Sequence, residues 1–516
     1  MKSLLLLLLV FVSLFTLAQT DAFNPPSSME NPQLDGYLKK RKPAILSIKI
    51  INQPASLQNV QVEYTLVQLG PQSQIKKYTK LNKEGAVKIV LDDNLPYQQI
   101  WLNIDGFLYT GIYVNSGLSI TIDVAITKGK EVYLAGEGVQ FSGIDGPLNT
   151  TMNKKTLFRK EEQDNCQSLL ANGSIAAANN KSKIPAFLVT ADSIYRQLRE
   201  IDEQFIGQNP GYAWAIRNET KSLYFHWVSL PYNFSIMPDS IFQQMNAHQP
   251  YFMSNDGVAF YRQLCNYNVY RKDNPRAKVQ MSDNIITIDS SNSYPKADIL
   301  KLALMEKGKD NYLTAYPAIL NSMHTEWCAR VVRTKLAEAI GKQKEVDSLF
   351  AIAKNIQGNG LFIGNAIGQL PFGANMYRLD SLTNATDFII NLKAKFKGKA
   401  IIIDFWATWC APCLSDIPRS KKLHEDNKDL PIEYVYLCTT GGSNEKVWKS
   451  RVVETKAPGT HIFVDDVVIT ELKRIFNAGG GFPAYVVIDL QGNASGSKIR
   501  FMGELDRNKL KLAAGL

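Results

Sequence analysis

At 516 residues the chain is long enough for about three domains of ordinary size. Its 45% hydrophobic and 21% charged content excludes a disordered or low-complexity protein. The formal net charge of +10 does not make a nucleic-acid binder, because acidic residues intervene among the basic ones nearly everywhere; a solvated surface with mild attraction to acidic membranes accounts for it.

The chain opens with Lys2 and an apolar run from Leu4 to Leu17 interrupted only by Ser13 and Thr16, with small residues at Ala18 and Ala22. That is a charged n-region, an h-region and candidate cleavage points, so residues 1–22 are predicted to be a signal peptide. The run falls short of the ~20 residues that span a bilayer, which favours cleavage over a retained anchor. Export to the periplasm or cell envelope is expected. The Pro- and Ser-rich stretch from Asn24 to Gln33 reads as a linker.

Residues 23–145 are predicted to form an all-β, sandwich-like module. Leu46–Ile50, Val60–Leu66 and Ser119–Val124 alternate apolar with polar residues, and Asn82–Gly85 and Asn115–Gly117 supply turns between such runs. Short strands at regular spacing with few helical windows point to an antiparallel arrangement.

From 146 to 375 the period changes to a helical one. Ile194, Leu198, Ile201 and Phe205 recur at helix spacing, as do Val346, Leu349, Phe350 and Ala353. Asn209-Pro210-Gly211, Leu230-Pro231 and Gln249-Pro250 divide the stretch into separate helices. Trp214, Trp227 and Trp327 fit core positions better than a ligand pocket, and His226, His248 and His324 lack ligand spacing. No chemistry attaches to this central α-helical module.

Residues 376–516 alternate strand and helix, the pattern of an α/β domain. Ala400–Trp406, Glu433–Cys438, Ala484–Asp489 and Lys498–Met502 read as strands, with Gln491-Gly492-Asn493 turning the third into the fourth. Helices are predicted after Cys413, at Glu445–Thr455, at Val468–Phe476 and from Asp506 to the end.

Cys410 and Cys413 stand where the first of these strands ends and a helix begins. A helix N-terminus stabilises an anion, so the Cys410 thiol is the expected nucleophile. Cys413, one turn on, can attack the mixed disulfide that Cys410 forms, which is the geometry of reversible dithiol–disulfide exchange. The rival, half a zinc site, lacks a second cysteine pair or histidines at ligand spacing, so no metal is expected and the chemistry calls for no cofactor. Asp404, six residues before Cys410 in a strand that should be buried, would have a raised pKa and could take the proton of Cys413; a solvated aspartate at a strand end is the alternative. Pro412 in the first helical turn costs no hydrogen bond, whereas Pro418 should kink the helix. Cys166, Cys265, Cys328 and Cys438 are isolated, and no structural disulfide is predicted among them.

The run Asp404-Phe405-Trp406-Ala407-Thr408-Trp409-Cys410-Ala411-Pro412-Cys413 resembles the thioredoxin active-site strand and turn. The lead-in Phe396-Lys397-Gly398-Lys399, the Asp416-x-Pro418 that follows and the later Gly481-Phe482-Pro483 are similar to exported TlpA/ResA-type disulfide reductases. The resemblance covers about the last quarter of the chain and implies a thioredoxin-like fold there. Trp409 would shield the pair; the resemblance implies that Asp404 matches the buried acid of thioredoxin and that Pro483 is cis and packs against the disulfide, whereas by itself an X-Pro at a strand start equally suits an edge device. Phe482 would then face substrate. Asp416 falls where ResA-like proteins place a glutamate, which makes it a candidate modulator; a first-turn acid that favours the helix dipole is the equal alternative.

The combined expectation is an exported thiol–disulfide oxidoreductase that reduces disulfide-containing protein substrates and is recharged by a membrane thiol donor. A peroxidase would want Thr-x-x-Cys, and Thr408 is only two residues before Cys410. The alternative is a non-enzymatic binding protein whose redox domain is auxiliary.

Overall fold

The computed structural model describes residues 43–516 apart from 53–59, 73, 92–96, 129–131, 133–135, 234–235, 249, 251–252, 271–279, 293, 295, 357–360, 381–382, 480 and 497–498. The predicted signal segment and linker lie outside the described residues. The chain divides into two compact units, residues 1–336 and 337–516.

Among the described residues of the first unit, eight strands form two four-stranded sheets: β1 (Ala44–Ile51), β2 (Gln61–Val67), β3 (Gln74–Lys80), β4 (Ala86–Leu91), β5 (Gln98–Ile104), β6 (Leu108–Val114), β7 (Gly117–Asp123) and β8 (Val139–Ser142). Their orders are β4-β1-β7-β8 and β3-β2-β5-β6. Alternation in the sequence is alternation in burial: Leu46, Ile48 and Ile50 of β1, Val62 and Leu66 of β2, and Leu118, Ile120 and Ile122 of β7 enter one core shared by both sheets. Each fully buried aliphatic side chain of this kind contributes ~1.5–3 kcal/mol. One expectation fails: the sandwich is not wholly antiparallel, because β1 and β7 run parallel with Leu46 opposite Leu118. The long intervening chain, which builds the second sheet, lets β7 return in the same direction, as a tight hairpin could not.

Helices follow: α1 (Gly146–Leu157), α2 (Lys160–Asn179), α3 (Ile184–Gln208), α4 (Ala213–Ser229), α5 (Asp239–Ala247), α6 (Asn255–Tyr270), α7 (Met281–Ser291), α8 (Lys296–Leu304), α9 (Tyr312–Asn321) and α10 (Glu326–Ala351). The periodic residues Ile194, Leu198, Ile201 and Phe205 are the buried stripe of α3. Trp327 is fully buried, and His248 is buried against Ser222 at 2.9 Å.

The second unit is a seven-stranded mixed sheet with flanking helices: β9 (Asn365–Gln369), β10 (Ala374–Leu379), α11 (Ala385–Lys395), β11 (Ala400–Trp406), α12 (Ala411–Asp426), β12 (Ile432–Thr439), α13 (Glu445–Thr455), β13 (Gly459–Val464), α14 (Asp466–Ile475), β14 (Ala484–Ile488), β15 (Ala494–Gly496) and α15 (Arg507–Ala514). The order is β15-β14-β11-β12-β13-β10-β9, with β11, β12, β13 and β10 parallel and β14 antiparallel to β11. β11 therefore has a neighbour on each side and is buried along its whole length, which its β-branched and aromatic run suits. Period-2 alternation sends Ile402 and Trp406 into the core that holds Ile417 of α12, Cys410 and Cys413, and Ile401, Ile403 and Phe405 into the opposite core.

Two readings of this region change. The fourth strand is at Ala494–Gly496 instead of Lys498–Met502; Met502–Glu504 is a 3₁₀ turn, because the Met502 and Gly503 N–H groups turn to the Asp416 carboxylate. The segment between the second and third predicted strands contains a further strand, β13, between α13 and α14.

Candidate active site

Cys410 is the N-cap of α12, and its Sγ accepts the Cys413 N–H at 3.2 Å. Pro412 occupies the first turn, where a missing N–H costs no intrahelical bond, and the helix continues through Pro418. A disulfide joins Cys410 to Cys413, with S–S 1.97 Å and Cα–Cα 5.3 Å. Both residues are buried, Cys410 the less completely. Cys166, Cys265, Cys328 and Cys438 are buried free thiols. Burial pushes the Cys265 thiol up to about 12 and raises that of Cys438 well above its ordinary value, so neither is poised to react.

Trp409 is 56% exposed. Its indole N–H donates to the Gly441 carbonyl at 2.9 Å. Gly442, at φ +70°, is required beneath it: a Cβ there would come within 2.8 Å of Trp409 Nε1. Thr408 ties the turn to the same loop through Ser443 Oγ, at 3.2 Å from its N–H and 3.0 Å from its hydroxyl. Phe482 meets the Trp409 ring nearly edge-on, with centroids 5.9 Å apart at 78°. The Phe482–Pro483 peptide bond is cis.

Asp404 is 3% exposed, and among the described residues its Oδ1 has no hydrogen-bond partner. Burial, and then the charge of Asp416, hold its carboxyl well above the usual range. The sheet register sets Asp404 between Tyr485 of β14 and Tyr436 of β12, with His461 of β13 next in the row. Tyr436 stacks on His461 at 4.5 Å and shares a hydrogen bond with Ser420 Oγ at 3.0 Å. Burial brings His461 down to about 4, so this imidazole is neutral at physiological pH.

Asp416 is buried as well, not at the surface of the first turn. Its Oδ2 accepts the Tyr485 hydroxyl and the Met502 N–H, each at 2.6 Å, and its Oδ1 accepts the Gly503 N–H at 3.2 Å. One carboxyl thus pins α12 to β14 and to the turn after β15.

The structure brings Cys410, Cys413, Trp409, Phe482 and Pro483 into one neighbourhood, and Asp404 and Asp416 into one electrostatic pair. Sequence reading missed Tyr436 and Tyr485, which flank Asp404 only through strand register, and His461, which stacks on Tyr436 one strand further out. It also missed Lys473 of α14, whose ammonium donates to the Gly481 carbonyl at 2.6 Å. A dithiol at a helix N-terminus, with a buried protonatable carboxyl in the adjoining strand, can pass two electrons and move a proton.

Comparison with known proteins finds likeness in part of the chain. Over 93 residues it is 27% identical to the thiol-disulfide oxidoreductase ResA of Oceanobacillus iheyensis, covering 18% of this chain and 46% of that one. Over 50 residues it is 46% identical to the thioredoxin-like protein YneN of Bacillus subtilis, covering 10% and 29%. The chain thus spans less than half the length of these curated relatives. Among solved structures, a thioredoxin-family thiol:disulfide interchange protein from Chlorobium tepidum aligns at 29% identity over 24% of this chain and 85% of that one, with a TM-score of 0.21. No family model matches the chain.

Proposed function

From a C-terminal quarter that is a thioredoxin-like thiol–disulfide oxidoreductase domain of the TlpA/ResA type, we propose that the chain is an exported enzyme that reduces disulfides in protein substrates. The observation that carries this is the Cys410–Cys413 disulfide at the N-terminus of α12, in the same unit as a buried carboxyl whose Oδ1 is unpartnered.

In the reduced enzyme the helix terminus favours the Cys410 thiolate. That thiolate attacks one sulfur of the substrate disulfide; a mixed disulfide forms and the other substrate sulfur leaves as a thiolate. Asp404 accepts the proton of Cys413, and the Cys413 thiolate attacks Cys410 Sγ. The second substrate thiolate leaves and the Cys410–Cys413 disulfide remains. Two electrons have passed to the substrate, and a membrane thiol donor returns them. Trp409 and Phe482 offer substrate an apolar face, and Pro483 shapes the backbone beside it. Export to the periplasm or cell envelope is the reading that the apolar run behind Lys2 favours.

Cys413→Ser tests the reading. Without the resolving thiol, substrates attacked by Cys410 should stay linked to it. Expressed in its own compartment, the variant should accumulate adducts that vanish with reductant and are absent from a Cys410→Ser, Cys413→Ser double variant. The redox potential gives direction: a value near ~−270 mV fits a reductase and one near ~−120 mV an oxidant. If no adduct forms and the pair never cycles, the binding-protein alternative replaces the enzyme.

A further inference from the structure

Lys473 lies in the last turn of α14 and is 7% exposed. A buried ammonium is unfavourable unless its donors are met. Burial lowers its pKa below the ordinary lysine value, with no carboxylate among the described residues to offset that. What the ammonium meets is the approach to Pro483. Nζ donates to the Gly481 carbonyl at 2.6 Å and stands 4.2 Å from the centre of the Phe482 ring, well inside cation–π range. The backbone of the same residue also holds this stretch. Its carbonyl accepts the Ala478 N–H at 2.9 Å, where Asn477 at φ +51° turns the chain off the helix.

Phe482 is held on Lys473 and meets Trp409, which is itself held on Gly441. The contacts run without a break from α14, through both aromatic rings, to the loop after β12. Phe482 lies just before β14 and in no strand, so the lysine holds it where no sheet ladder does.

We propose that Lys473 is a positioning residue that clamps Gly481 and Phe482, so that Phe482 and Trp409 form a fixed apolar wall on the substrate side of the Cys410–Cys413 pair. Only the word "substrate" in this proposal rests on the reductase reading. A fixed wall selects disulfides whose neighbouring residue is apolar. It acts by binding and orienting the substrate segment and leaves sulfur exchange to the cysteines.

The test uses the full chain with Lys473→Met, which keeps the length and loses charge and donor, and Lys473→Arg, which keeps both; melting curves confirm that each folds. Hydrogen exchange in a peptide covering 481–488 should be about tenfold faster in Lys473→Met and return to within about twofold of wild type in Lys473→Arg. With a peptide disulfide carrying leucine beside the half-cystine, KM should rise about tenfold in Lys473→Met while kcat falls by less than about threefold, and arginine should restore KM. Unchanged exchange in Lys473→Met, equal loss in both variants, or faster exchange with unchanged KM overturns the clamp. A wild-type protein that reduces no disulfide, yet keeps the exchange contrast, sinks the reductase reading and leaves the clamp standing.

Discussion

Asp145, at the head of α1, and Asp404, in the centre of β11, are both buried carboxyls, 4% and 3% exposed. Asp145 Oδ2 accepts the backbone N–H groups of Asn115, Ser116 and Gly117 at 2.9, 2.8 and 2.8 Å. Burial still raises its carboxyl, but the three donors pull it back. Asp404 has no such cradle: its Oδ1 is unpartnered, and the nearby charge of Asp416 pushes in the same direction as burial. The first acid fastens the turn between β6 and β7 and contributes stability. The second is unfavourable where it stands, and because such buried carboxyls cluster at functional sites Asp404 is the residue proposed to act. The cysteines repeat the contrast, with four isolated thiols buried as apolar filler and one pair set on a helix terminus.

The contrast breaks if either acid behaves like the other. Asp145→Ala strands three backbone donors and should lower the unfolding free energy of the first unit by about 3 kcal/mol, with disulfide turnover within about twofold of wild type. Urea denaturation and an activity assay on the same preparation check both halves. If the stability loss is under about 0.5 kcal/mol, the cradle is not structural.

Asp404 should show the opposite sign, and a dependence on pH. Its folded carboxyl keeps a proton above the ordinary value of 3.8. The folded state therefore binds more protons than the unfolded state between those two values, and stability falls as pH rises through that window. Relative to Asp404→Asn, the wild type should lose up to about 1.4 kcal/mol per pH unit from about pH 4 upward, then level off above the folded pKa. Denaturation curves for both proteins at several pH values measure the gap; a gap flat across the whole range contradicts the raised carboxyl.

The smallest effect belongs to the lone thiols. Cys438 is in β12, one strand from the redox pair, yet it is fully buried with its pKa raised. Cys438→Ala should leave turnover within about twofold, and alkylation of the native reduced protein should label Cys410 ahead of every other cysteine. Prior labelling of Cys438 would erase the distinction between filler and reagent.

These regions were not equally legible in the sequence. β11, β12 and β14 stood out because a strand buried on both faces must be a continuous apolar run, and the cysteines mark where β11 stops. β13 did not, because Gly459, Thr460 and His461 make half of it polar or small, although every residue is buried in the sheet. β9 is largely polar or small, and the alternation of β10 is broken at the register shift between Met376 and Tyr377. In the first unit the alternating strands were plain, but the parallel pairing of β1 with β7 depends on the path of the chain between them. The Cys410–Cys413 pair and the strand that carries Asp404 could be read locally. The Tyr485–Asp416 bond, 69 residues apart, and the flanking of Asp404 by Tyr436 depend on register, which no local pattern encodes. Lys473 is by sequence one of two basic residues in the last turn of α14, and only its burial marks it.

The central claim is that the unpartnered Asp404 serves the second thiol transfer and not the first. Stopped-flow kinetics with a fluorescent peptide disulfide separate mixed-disulfide formation at Cys410 from its release by Cys413. With Asp404→Asn, formation should stay within about twofold of wild type, while release should slow by about 100-fold, the usual scale of a lost general base. If release is as fast in the variant as in the wild type, or if formation slows to the same degree, Asp404 is not the base for Cys413.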